Sequence, residues 1–154
     1  MAVTGFVFPQ FMLGVAGGYI SLPGGTWKMA LSDTAGPVTP ATSGVDTAKL
    51  FSDWTSNVAA EITGTGYTAG GVAISSPTFA VGGTDNSVTT FTSGTNPAWT
   101  GATFSANQAI LYQSSASTFQ LGAFWDFGGA ESPVAATFTL TINGSGLLTA
   151  TTST

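Results

Sequence analysis

Residues 119–129 read FQLGAFWDFGG. Leu121, Ala123, Trp125 and Phe127 alternate there with Gly122, Phe124 and Asp126, which is the two-residue period of a β-strand. Apolar groups fall on both sides of the alternation, so the strand is expected to be covered on both faces. An inner strand of this kind implies further strands around it, and the flanking sequence supplies them. In TFSANQAILY (103–112), Phe104, Ala106, Gln108, Ile110 and Tyr112 share one face, with Ala109 and Leu111 on the other. TWKMALS (26–32) alternates Trp27, Met29 and Leu31 with Lys28 and Ala30. In ATFTLTINGSGLLTAT (136–151), Phe138, Leu140 and Ile142 alternate with threonines up to Asn143-Gly144, a strong turn signal, and a last strand is expected from about Leu147. VGGTDNSVTT (81–90) predicts a hairpin between Val81 and Val88.

One stretch breaks the period. In DTAKLFSDWTSNVAAEI (46–62), Leu50, Phe51, Trp54, Val58 and Ile62 recur at steps of three and four, which predicts one short helix with Asp46 as its N-cap, or a helical turn over Phe51 to Trp54. The preceding SDTAGPVTPATSGVD (32–46) reads as a surface loop. Many short strands with one helix inserted early predict an all-β single domain over 1–154, a β-sandwich or partly closed barrel. Residues 1–25, MAVTGFVFPQFMLGVAGGYISLPGG, are either a first strand tucked into this core or an extended N-terminal arm laid on a neighbour. They carry no basic region of a signal peptide, and Pro9 and Gln10 interrupt the apolar run well short of the roughly 20 residues that a membrane helix needs. No membrane partner is expected.

Composition narrows the function. Only 6% of the 154 residues are charged, against roughly 25% in an ordinary soluble domain. Mixed charge normally keeps monomers apart, so a surface this neutral predicts obligate assembly. His, Cys and Arg are absent, which removes imidazole acid–base chemistry, the common nucleophile triads and nearly every zinc, iron or copper site. Two lysines and a formal net charge of −5 make nucleic acid a poor partner.

The remaining candidate sites are few. EITGTGYTAGGVAISS (61–76) is rich in glycine, but its glycines meet neither the dinucleotide nor the P-loop spacing, and a strand rather than a helix follows. A tight excursion between strands explains Gly64, Gly66, Gly70 and Gly71 without a cofactor. Glu61 and Tyr67 are expected to meet across it in a carboxylate–phenol hydrogen bond. Asp126 and Glu131 are the best pair for two-carboxylate glycoside chemistry, but an aspartate inside an apolar strand reads more simply as a hydrogen-bonded structural group. A calcium site around Asp85 has too few carboxylates. Trp27, Trp54, Trp99 and Trp125 read as core residues.

Taken in order, these motifs resemble small virion structural proteins of tailed bacteriophages. The family's Glu-x-x-Gly-x-Gly-Tyr-x-x-Gly-Gly loop is met by Glu61, Gly64, Gly66, Tyr67, Gly70 and Gly71. Its Trp, aromatic-Ser-Ala and Tyr series is met by Trp99, Phe104, Ser105, Ala106 and Tyr112, and its Asp-aromatic-Gly strand by Asp126, Phe127 and Gly128. The resemblance covers residues 26 to about 148. It implies a capsid decoration or minor head protein without catalysis or cofactor. Such a protein would sit on the outer capsid surface, with the major capsid protein and its own copies, as a homotrimer, for partners. Trp99, Tyr112 and Asp126 would be structural, and Phe6, Phe8 and Phe11 of the N-terminal segment are the expected assembly contacts. A tail-tip or fibre-associated adhesin binding host carbohydrate is the alternative.

Overall fold

The computed structural model describes residues 4–22, 24–34, 38–82, 88–118, 120–143 and 147–151. The elements run β1 (Thr4–Val7), α1 (Phe11–Ala16), β2 (Trp27–Ser32), α2 (Phe51–Asn57), β3 (Val72–Ala73), β4 (Thr78–Gly82), β5 (Val88–Thr92), β6 (Ala98–Ala102), β7 (Ala106–Gln113), β8 (Leu121–Glu131), β9 (Ala136–Thr139) and β10 (Leu148–Thr151). The chain is all-β with short helices, and among the described residues all the strand pairings are antiparallel.

A five-stranded sheet in the order β1-β8-β7-β2-β3 forms the centre. Its registers put Trp27, Met29, Leu111, Ala109 and Trp125 toward one face, and Ala30, Ile110, Tyr112 and Phe124 toward the other. Both faces are covered. On the first, Phe91 of the three-stranded sheet β10-β5-β4 packs against Trp27 with ring centroids 5.1 Å apart. On the second, α2 places Trp54 against Phe124 at 5.2 Å and stacks Phe51 on Tyr112 at 4.2 Å. The β6–β9 ribbon closes one end through Trp99, Phe104, Phe127 and Phe138. Among the described residues the central sheet ends at β1 and β3 and is open rather than closed into a barrel.

The N-terminal segment settles as the first strand rather than as an arm. β1 pairs with β8 from Thr4 opposite Asp126 to Val7 opposite Ala123, and Phe8 N–H donates to Gly122 O at 3.1 Å. Phe8 lies edge-on to Trp54 at 5.3 Å, and Phe6 meets Phe124 at 4.9 Å. Phe8 and Phe11 are buried in the chain's own core, with Phe6 half-buried beside them. The expectation that these three phenylalanines are assembly contacts is therefore corrected. Phe6 and Phe8 fall on either side of Val7 in and just after β1, and Phe11 opens α1.

Among the described residues two helices replace the single one expected. α1 was hidden because FMLGVA is too short to show a helical period, and Gly14 weakens it. Gly18 ends it at φ 73°, where its N–H and those of Gly17 and Tyr19 reach back to carbonyls of Val15, Leu13 and Gly14. In α2 the cap is Leu50, not Asp46. Leucine has no acceptor, so the work falls to Asp53, whose Oδ2 accepts from Leu50 N–H at 3.0 Å and Lys49 N–H at 3.1 Å. β4 and β5 form the expected hairpin, with Gly82 opposite Val88, while the turn with Asp85 lies outside the described residues. β9 stops at Thr139, short of the predicted run to Ile142, because its partner β6 begins at Ala98. Gly144 lies outside the described residues.

Candidate functional site

The loop from Glu61 to Gly71 is built on close backbone approach. Ile62 N–H donates to Leu31 O at 3.1 Å, and Thr65 and Thr103 form a bridge, so the loop is held to β2 on one side and to the β6–β7 connection on the other. Gly66 (φ 79°) lies so close to the Thr100 carbonyl that a Cβ would sit 2.7 Å from it. Gly71 (φ 69°) presses against β2, where a Cβ would come within 1.9 Å of Met29 O. The glycine spacing thus follows protein backbone.

One carboxylate organises the interior of the loop. Glu61 Oε1 accepts from Tyr67 Oη at 2.7 Å and also from Gly70 N–H. Tyr67 Oη accepts in turn from Leu31 N–H at 3.0 Å, and Tyr112 Oη donates to Gly70 O at 2.8 Å. The Tyr67 ring stacks over Trp99, with centroids 6.3 Å apart, and meets Phe104 edge-on. Trp99 and Tyr112 are buried. Glu61 Oε1 and the hydroxyls of Tyr67 and Tyr112 are all engaged with the chain itself, and the arrangement locks a loop to a sheet.

Burial pushes the Tyr67 hydroxyl far above the ordinary phenol range; the Leu31 N–H opposes the shift, while the hydrogen bond to Glu61 and its charge add to it. Tyr112 is pushed up to about 12 by burial and then by the charge of Glu61. Unfolded phenols titrate near 10, so the two groups hold protons in the folded state that they lose in the unfolded one. Their contribution to stability is complete below pH about 10 and is lost as pH rises through the folded values, at up to about 1.4 kcal/mol per pH unit for each tyrosine. Alkaline unfolding followed by circular dichroism should start above pH about 10 and coincide with the tyrosinate absorbance of these two groups. Unfolding that precedes that absorbance would contradict the expectation.

Asp126 is not among the residues that line the cleft bordered by Glu131. Asp126 Oδ1 accepts from Gly128 N–H at 2.7 Å and shapes the irregular end of β8, where Gly128 has φ 74°. Glu131 is exposed and lies at the rim of a cleft of about 610 Å³ between the first face of the central sheet and residues 138–143. Trp125, Phe127, Phe138, Leu140 and Ile142 form much of its wall. Trp125 is only half-buried, so of the four tryptophans it alone departs from the core reading. The sequence showed the alternation of these wall residues, but not that the strand would end at Thr139 and that residues 140–143 would border a cleft.

A second, polar hollow is bordered by Asp46, Asp53, Thr47 and Asn57. Asp53 there is committed to the α2 cap. Among the described residues no three of His, Cys, Asp and Glu come together as a metal site, and no helix is long and apolar enough to cross a membrane. Comparison with protein-family models, curated proteins and solved structures gave no significant match.

Proposed function

We propose that this chain is a structural subunit of a larger assembly, and specifically a capsid decoration protein on the outer surface of a tailed-phage head. One observation carries the reading: a neutral, apolar surface is presented by β1 and α1. Residues 1–27 hold no charged group, yet Met12 and Leu13 are 64% and 60% exposed and Tyr19 is 54% exposed, with Val7 also open to solvent. Exposed large apolar side chains that recur within one short uncharged segment favour a contact surface. The N-terminal segment therefore retains a contact role, with Met12, Leu13 and Tyr19 in place of the buried phenylalanines.

Burial of apolar area is worth about 25 cal/mol per Å². A chain with nine charged residues has little else with which to bind. Repetition over a symmetric shell multiplies a modest contact, because copies joined as a trimer bind with the avidity of all three. The shell protein is the partner in this reading, and bridging between capsomers is the result.

Pelleting with shells that lack the protein tests it. Wild type should co-sediment at saturable stoichiometry, and Met12→Ser/Leu13→Ser should bind at least about tenfold more weakly with its circular dichroism unchanged. Equal binding by both proteins would remove α1 from the contact, and no binding by either would contradict the reading. The tail-tip adhesin has the cleft beside Trp125 in its favour, since an aromatic wall with a polar rim suits a sugar ring. Glycan binding by the isolated protein would favour it.

A further inference from the structure

The second neutral surface is a strand edge. β4 is the outer strand of its sheet, and among the described residues it pairs with β5 alone. Its residues 78–81 are all exposed, so neither face of the strand is covered. Phe79 and Val81 are 45% and 59% exposed. Their register partners are Phe91 and Thr89, which puts both on the same face as Phe91, itself buried against Trp27. The core-facing side of the sheet therefore continues one strand beyond the core it covers.

Edge strands are normally blunted by a charge, an inward-pointing lysine, a proline within the strand or a bulge. β4 has none of these: residues 62–82 hold no charged group, Pro77 lies just before the strand, and the β4–β5 register is unbroken. An open row of backbone donors and acceptors is satisfied by water or by another strand, and the flanking apolar side chains favour the strand.

We infer that β4 pairs edge to edge with β4 of a second copy of this chain, antiparallel and about a two-fold axis at Ala80. The strand is self-complementary in that register. Phe79 falls opposite Val81 of the other copy, twice, which makes two aromatic–β-branched cross-strand pairs on one face. Thr78 falls opposite Gly82. The neutrality of the strand lets two copies of net charge −5 approach there. The two three-stranded sheets become one six-stranded sheet, and Phe79 and Val81 extend the apolar layer that begins at Phe91. This rests on the assembly reading above and adds to it: a two-fold contact between subunits that also form trimers would tie neighbouring trimers into a net.

Because the chain has no cysteine, Ala80→Cys gives a clean test. Residues directly opposite in an antiparallel pair have Cα atoms about 4.5–5.5 Å apart, within the span of a disulfide. Purified Ala80→Cys should form a covalent dimer at micromolar concentration on mild oxidation, at least about tenfold faster than Ser52→Cys, an exposed control on α2. Adding Val81→Lys to Ala80→Cys should abolish the excess, and Val81→Lys alone should lower the mass measured by sedimentation. Cross-linking of Ala80→Cys no faster than the control, with native circular dichroism, would overturn the inference. Wild type and Val81→Lys of equal mass would also overturn it. Absence of the Ala80→Cys dimer from shells that carry the protein would refute the strand contact and leave the capsid reading intact, whereas rapid dimerisation of a protein that binds no shell would do the reverse.

Discussion

Gly71→Ala is expected to cost about 4 kcal/mol, among the largest effects of a single added methyl group. The new Cβ would lie 1.9 Å from Met29 O and 2.6 Å from Met29 C, and both atoms belong to the backbone of β2. No side chain can rotate away to relieve the clash. Either the loop must lift off the sheet or β2 must shift against β7, and β2 is covered on both faces. The left-handed φ of 69° adds its own strain of about 1–2 kcal/mol for a residue with a Cβ. Domains of this size have about 5–15 kcal/mol of stability in total, so thermal unfolding should fall by about 10 °C. Gly101→Ala separates the two causes. Gly101 has φ 61°, but its Cβ would meet nothing within 4 Å, so only the strain remains and the loss should be about 1 kcal/mol. Equal losses at the two positions would show that backbone strain, and not contact with β2, dictates the glycine.

Tyr67→Phe should cost about 3 kcal/mol while leaving the ring in place against Trp99 and Phe104. The hydroxyl is the acceptor for Leu31 N–H and a donor to Glu61. Without it a strand amide and a half-buried carboxylate each lose a partner, and unmet groups cost more than a made bond contributes. Glu61→Gln keeps an oxygen for Tyr67 and Gly70, so its loss should stay under about 1.5 kcal/mol. Chemical denaturation of the three proteins decides it. If Tyr67→Phe unfolded within about 0.5 kcal/mol of wild type, the glycine contacts alone would hold the loop.

Much of the central sheet could be read from the chain. β2, β7 and β8 each carry an alternation long enough to show, and two-sided apolar content marked β8 as covered on both faces. The Glu61–Tyr67 contact was legible too, because six residues of glycine-rich turn leave few other places for the two side chains to go. The N-terminal segment was not legible to the same degree. Phe6, Phe8 and Phe11 look alike in sequence, whether they line a core or face a neighbour; that distinction is made by β8, more than a hundred residues away. Met12 and Leu13 were hidden for the same reason, since a six-residue helix shows no period of its own. The cleft beside Trp125 arises where β9 ends, and that end is set by its pairing with β6 and not by any residue at Leu140. The capping role of Asp53 instead of Asp46 shows how a helix start can move by a turn when an acidic residue reaches back to free amides.

The chemistry of the chain points the same way as its geometry. Its best-organised polar cluster, around Glu61, is consumed in holding a loop to the sheet. Its open surfaces, α1 and the β4 edge, are apolar and neutral. Function in this account lies in what those surfaces press against. Imaging of the intact virion at a resolution that separates subunits tests that directly. The account predicts copies of this chain at symmetric positions over the outside of the head, hundreds per particle, with α1 facing the shell. A protein absent from the particle, or present in a few copies at the tail tip, would contradict it.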